Sequence, residues 1–126
     1  METATVNVRY IVENVEAAVA WYTQHLGFTV LSSHVPAFAD VKLGSLRLLL
    51  SGPTSSAGRA MQDGERPKPG GWNRIHLIVD DLNAEIERLR GDGLSFRTEV
   101  VSGPGGRQIL LADPAGNLIE LFQPAS

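Results

Sequence analysis

Apolar residues recur along the chain with two periods, and the two periods alternate. In VNVRYIV (6–12) Val6, Val8, Tyr10 and Val12 fall on one face and Asn7, Arg9 and Ile11 on the other, the alternation of a half-buried strand. The period then lengthens: Val15, Ala18, Val19, Tyr22 and Leu26 draw one helical stripe, with Asn14 placed to cap it and Gly27 to stop it. Strand-like runs follow at 28–34, 39–43 and 45–50, with Gly44 as the turn between the last two.

The second half repeats this order. RIHLIV (74–79) alternates as a strand, Asp81 is placed to cap, and Leu82, Ile86 and Leu89 stripe a helix ending near Gly91 and Gly93. Strands are expected at 94–101, 107–113 and 117–122, separated by a Gly-Pro-Gly-Gly turn at 103–106 and a Pro-Ala-Gly turn at 114–116. Superposing Asn14 on Asp81 pairs Asn7 with Arg74 and Arg9 with His76, while Gly44 on Gly116 needs a slightly larger offset. The repeat implies an α+β fold of two tandem βαβββ modules within a single domain spanning 1–126, module one at 5–51 and module two at 72–124. Residues 52–71, rich in Gly, Pro and Ser and without apolar period, read as a linker or flap.

A four-stranded sheet buries one face against its helix, which assigns Val8, Tyr10, Val12, Ile75, Leu77 and Val79 to the helix side. The opposite face then carries Asn7, Arg9, Arg74 and His76. The same alternation in the last strand of each module adds Leu46, Leu48 and Leu50, and then Leu118, Glu120 and Phe122. Polar groups on the floor of an apolar rim describe a small-molecule cleft.

Composition narrows the chemistry. The chain has 126 residues, 43% hydrophobic and 20% charged, as in an ordinary globular domain. No run approaches the ~20 apolar residues of a bilayer span, so no membrane partner is expected. The start METATVNVRY lacks a basic and then apolar leader, which points to a cytoplasmic protein. The absence of cysteine excludes disulfides, thiolate nucleophiles and Cys-based metal sites, leaving three histidines and the carboxylates. With a formal charge of -3 and no basic stripe, nucleic acid is not an expected partner.

VENVEAAVAWYTQHLGF and DPAGNLIELF, set in two βαβββ modules, resemble the vicinal oxygen chelate superfamily. That group contains glyoxalase I, bleomycin resistance proteins, extradiol dioxygenases and methylmalonyl-CoA epimerase. The resemblance covers the chain apart from 52–71, and implies curved half-barrel sheets with helices on the outer face, a homodimer, and one cleft per pair of modules. In its metal-dependent members four side chains converge on a divalent ion. Carried over by position, the first-strand ligand lies seven residues before the capping Asn or Asp, at Asn7 and Arg74. The last-strand ligand lies four residues after the turn glycine, at Leu48 and Glu120.

Only Glu120 is a good donor among those four, because leucine cannot ligate, a guanidinium repels cations and an asparagine amide is a weak oxygen donor. No cofactor is therefore expected and a divalent metal is disfavoured; if one bound, Glu120 and His76 would be its ligands. The bleomycin-resistance branch is the better guide, and implies a protein that takes a small organic molecule, anionic or aromatic, without the full metal site. The alternative is a lyase, isomerase or dioxygenase of the same superfamily, either metal-free with His76 as acid/base or with a rearranged metal site. Any catalytic role would then fall to His76 and Glu120.

The expected ligand-binding set is Asn7, Arg9, Leu48, Trp72, Arg74, His76, Glu120 and Phe122. Glu120 is expected to form a buried ion pair with Arg74, since an unpaired inward carboxylate is expensive. His76 either hydrogen-bonds Glu120 or a ligand, or is a satisfied structural histidine. Arg9 either faces an anion or pairs with an acid such as Asp40 or Glu99. Trp72, following Gly70 and Gly71, is the expected aromatic contact. GPGGR (103–107) has no following helix and reads as a hairpin turn instead of a phosphate loop.

Overall fold

Each half of the repeat folds as its own unit. In the computed structural model, which describes residue 2 and residues 4–126, the chain divides after Pro69. The first unit contains β1 (Val8–Ile11), α1 (Val15–Leu26), β2 (Thr29–His34), β3 (Phe38–Leu43) and β4 (Leu46–Ser51). Its strands lie in the order β1-β4-β3-β2, with β1 parallel to β4 and the other pairs antiparallel. The local signals that announce α1 act as expected. The Asn14 side chain accepts the Ala17 N–H at 2.9 Å, and Gly27 ends the helix at φ 75°, a backbone conformation that favours glycine. Val15, Ala18, Trp21 and Tyr22 bury the inner face of α1, and Tyr10, Val41, Leu48 and Leu50 bury the sheet beneath it.

The second unit contains β5 (Arg74–Ile78), α2 (Leu82–Gly91), β6 (Val101–Gly103), β7 (Gly106–Ala112) and β8 (Leu118–Pro124), in the sheet order β5-β8-β7-β6. Asp81 caps α2 by accepting the Ala84 N–H at 3.1 Å, and Leu82, Ile86 and Leu89 are buried as the stripe requires. Behind them lie Ile75, Ile119 and Leu121. The 103–106 turn is a hairpin in which Gly103 pairs with Gly106.

One expected strand is largely missing. Of residues 94–101 only Val101 enters β6. The Arg97 N–H donates to the Leu110 carbonyl at 2.8 Å, but the Leu110 N–H donates to Thr98 Oγ1 at 3.2 Å. A side chain thus takes the place of the backbone acceptor and no ladder forms. After β4, residues 52–58 fold into a self-bonded turn. The Ser55 hydroxyl donates to the Gly52 carbonyl (2.7 Å) and accepts the Gly58 N–H (3.0 Å), and a Cβ on Gly58 would meet the Gly52 oxygen at 2.0 Å. Among the described residues no helix is long and apolar enough to cross a membrane.

Candidate functional site

In the second unit β5 runs parallel to β8 with Arg74 opposite Leu118, His76 opposite Glu120 and Ile78 opposite Phe122. Ile75 and Leu77 alternate with these toward α2, so Arg74, His76, Glu120 and Phe122 share the face away from the helix. Glu120 is only 7% exposed. Arg74 Nε donates to its Oε1 at 3.0 Å, and His76 Nε2 lies 3.4 Å from its Oε2. Both carboxylate oxygens thus face nitrogen groups, as a buried carboxylate needs. The His76 ring lies against Phe122, with centroids 4.7 Å apart, which fixes its orientation while leaving it accessible from the open side. Trp72 is 67% exposed; the Arg97 guanidinium covers its ring at 4.7 Å, and Arg74 donates to its carbonyl at 3.4 Å.

The DPAGN segment supports β8. Asp113 Oδ1 accepts the N–H groups of Ala115 and Asn117, both at 2.9 Å, and Asn117 Oδ1 accepts the Gly70 N–H at 2.8 Å. This turn fixes where β8 begins, and hence which of its side chains face away from α2.

In the first unit the face away from α1 is organised by two rungs that each cross all four strands. Ile11, Ser51, Phe38 and His34 form one, and Arg9, Leu49, Asp40 and Ser32 the other. Asp40 is buried, accepts from the Ser32 hydroxyl and pairs with Arg47 Nε at 2.5 Å. Burial alone would raise its carboxyl pKa, but the bonds from Ser32 and Arg47 and the Arg47 charge outweigh this and hold it below the ordinary carboxylate value. Asp40 is therefore committed to Arg47, and among the described residues Arg9 makes no ion pair. Glu99 lies in the exposed segment before β6.

Leu48 is not on the open face. It pairs with Val8 and Val41, is fully buried, and packs on the helix side with Leu50. Leu46 shares that side by alternation. The turn glycine is a false landmark here: the first hairpin closes with Leu43 opposite Leu46, while the second spans residues 113–117 to place Ala112 opposite Leu118. Counting from Gly44 lands one residue short, and Leu49 is the residue that stands opposite Arg9 as Glu120 stands opposite His76. Asn7 is exposed and lies one residue before β1.

Beside the first rung lies a cavity of about 500 Å³, lined by Arg9, His34, Phe38 and Ser51 and walled by residues 54–57. Sequence reasoning missed Ser51, whose place depends on the β4 register and on the 52–58 turn. The Ser51 side chain is fully buried, and its hydroxyl has no hydrogen-bond partner among the described residues. Such a group costs roughly 1–3 kcal/mol when left unsatisfied.

A divalent ion does not fit the donors at the four carried-over positions. Glu120 is already neutralised by Arg74, which stands at another of those positions; Leu49 replaces Leu48 without adding a donor; Asn7 offers one weak oxygen. Among the described residues no three His, Asp or Glu side chains gather as a metal site would require.

Comparison with known proteins agrees with this architecture. The family model described as Glyoxalase/Bleomycin resistance protein/Dioxygenase superfamily matches residues 5–121. Mitochondrial methylmalonyl-CoA epimerase from Homo sapiens is 29% identical over 126 residues, covering 93% of this chain and 72% of that protein. A solved member of the same superfamily from Sphaerobacter thermophilus superposes with a TM-score of 0.77 at 27% identity, covering 98% of this chain and 99% of that one. An antibiotic-binding protein from a Streptomyces species gives 0.70 at 25%, covering 98% of each chain. A lactoylglutathione lyase from Agrobacterium tumefaciens gives 0.77 at 21%, covering 96% and 93%, and shares the fold.

Proposed function

Because the chain belongs to the glyoxalase/bleomycin resistance protein/dioxygenase superfamily, we propose that it binds a small organic molecule, anionic or aromatic, on the open faces of its modules and without the family's divalent metal. The observation that supports this reading is the 3.0 Å ion pair between Arg74 and Glu120, two residues at positions that the resemblance to metal-dependent members implies for metal ligands, since a guanidinium there repels a cation. Arg9 in the first module, and Arg74 and His76 in the second, offer donors to an anion, while Trp72 and Phe122 offer aromatic surface. The similarity to an antibiotic-binding protein supports a binding role of this kind. The proposal includes a homodimer, which sedimentation velocity tests directly.

The test is metal analysis of dialysed protein, followed by titration of metal-free protein with small aromatic acids and observation of its melting temperature. Binding without metal is the expected result. Stoichiometric zinc, iron, nickel or manganese that Glu120→Ala removes would sink the proposal.

One observation favours a second reading. His76 Nε2, 3.4 Å from Glu120 and accessible from the open side, is placed as a carboxylate-oriented acid/base for a metal-free isomerase or lyase, and a methylmalonyl-CoA epimerase is among the relatives. Solvent-deuterium exchange into methylmalonyl-CoA, present in the wild type and absent in His76→Ala, would decide for it.

A further inference from the structure

We propose that the first module carries a carboxylate subsite in which the Arg9 guanidinium and the Ser51 hydroxyl together hold the acid group of a planar or aromatic ligand. The proposal rests on the ligand-binding reading above and assigns the ligand's class and its anchoring groups. Three observations carry it.

The first is the unpartnered Ser51 hydroxyl. It is fully buried, lines the 500 Å³ cavity, and no described residue accepts from it or donates to it. Buried hydroxyls nearly always have partners, so one left without a partner on a residue that lines a cavity marks where a ligand atom belongs. Neighbouring backbone does not compete for it: the adjoining 52–58 turn satisfies itself through Ser55, and the Gly52 N–H is taken by the Ala37 carbonyl at 2.8 Å.

The second is the charge balance of the face. Arg9, Lys42 and Arg47 stand on it against one acid, Asp40, and Asp40 is consumed by Arg47 and Ser32. Arg9 lines the same cavity as Ser51 and stands a single diagonal step from it, since Arg9 pairs with Leu49 and Ser51 follows two residues later. A long side chain spans that step. Within the cavity lining, one guanidinium and one hydroxyl match the two oxygens and single charge of a carboxylate, and Lys42, which does not line it, does not supply the second charge that a phosphate needs.

The third is the wall. Phe38 stands opposite Ser51 on the same rung, with His34 beyond it, so a ring attached to the carboxylate would lie along two flat side chains. The cavity's volume falls in the range of small-molecule pockets, about 300–1,000 Å³.

The experiment uses the whole chain with three probes: 1-naphthoate, the neutral 1-naphthamide, and 1-naphthyl phosphate. Affinities are read by isothermal titration, and metal content is measured on the same preparation. Wild type is expected to bind naphthoate about tenfold more tightly than the amide, a difference of about 1.4 kcal/mol, and more tightly than the phosphate. Arg9→Gln, at an exposed position, is expected to abolish the preference for acid over amide. Ser51→Ala is expected to weaken naphthoate several-fold while leaving the melting temperature unchanged or raised, because the free protein loses no hydrogen bond. A drop in melting temperature with unchanged affinity would mean that Ser51 is merely structural and would overturn the assignment. So would equal binding of acid and amide, a preference for the phosphate, a preference that survives Arg9→Gln, or no binding of any probe. The parent reading fails on a different signal, retained stoichiometric metal. Naphthoate binding that is lost in Arg74→Gln but kept in Arg9→Gln removes this subsite and leaves ligand binding standing.

Discussion

Arg74 and Glu120, on adjacent parallel strands, meet through a 3.0 Å bond from Nε to Oε1 although they are not directly opposite in register. Glu120 faces His76 across the ladder, and Arg74 reaches it diagonally from one pleat away. The carboxylate is nearly inaccessible while the guanidinium keeps 29% of its side chain exposed. Desolvation therefore falls mainly on the acid, and the arginine is what makes a charged Glu120 tolerable.

That asymmetry sets the cost of breaking the pair. Arg74→Ala leaves a buried carboxylate with only His76 beside it, and should destabilise the protein by about 1–3 kcal/mol, below the range for fully buried pairs because Arg74 is partly solvated. Glu120→Gln removes the charge that needs compensation, so the same Arg74→Ala change in that background should cost under about 1 kcal/mol. Urea unfolding of the four proteins in the cycle measures both; equal costs in the two backgrounds would show that the pair is not coupled.

Asp40 gives a pH dependence of definite sign. Burial pushes its carboxyl upward, but Ser32 and Arg47 prevail, so its folded pKa lies below the ordinary 3.8. The unfolded chain then binds a proton more readily than the folded one. Its contribution to stability should be complete above about pH 4 and should drain away as pH falls through the lowered folded value. Asp40→Asn should be less stable than wild type at neutral pH, and the gap should narrow in acid. Urea midpoints from about pH 6 down to about pH 2.5 test this, and a gap that stays constant would mean that Asp40 does not titrate with folding.

What the sequence made legible was local. Asn14, Gly27 and Asp81 act on their own helix ends, so their roles follow from neighbours in the chain. The pairing of Arg74, His76 and Glu120 on one face followed from alternation in β5 and from Glu120 being the one polar residue between Leu118 and Phe122 in β8. What failed was information carried between strands. Leu48 was misplaced because the two hairpins have turns of different length, which shifts face assignment by one residue and so inverts it. The 94–101 strand was lost to one hydroxyl, Thr98, which no periodicity reveals. The Asp40–Arg47 pair and the unpartnered Ser51 hydroxyl depend on register across three strands and on the turn after β4.

The DPAGN turn ties β8 to the start of the second unit. Asn117 accepts the Gly70 N–H and donates to Asp113 Oδ2 at 3.2 Å, and it is almost wholly buried. Asn117→Ala should therefore cost about 1–3 kcal/mol, the penalty of leaving buried partners unsatisfied. The accompanying local signature is faster hydrogen exchange at the Gly70 amide than the global loss of stability explains. Unchanged exchange there would mean that the bond does not hold Gly70 in solution.

If Arg74 holds the place of a metal ligand, changing that residue alone should restore part of a metal site. Arg74→His removes the guanidinium that neutralises Glu120 and adds an imidazole beside an existing carboxylate and His76. Three nitrogen and oxygen donors are the minimum seen in catalytic zinc sites. The variant should bind zinc with a dissociation constant in roughly the micromolar range, against no saturable binding by wild type, and adding Glu120→Ala should abolish the gain. Titration with zinc chloride at neutral pH reads all three. A folded Arg74→His protein that gains no zinc affinity would show that the two modules' repeat, though it aligns Arg74 with the ligand position, does not bring its side chain into ligand geometry. The ion pair with Glu120 would then be a structural feature of β5 and β8 and not the substitute for a lost metal.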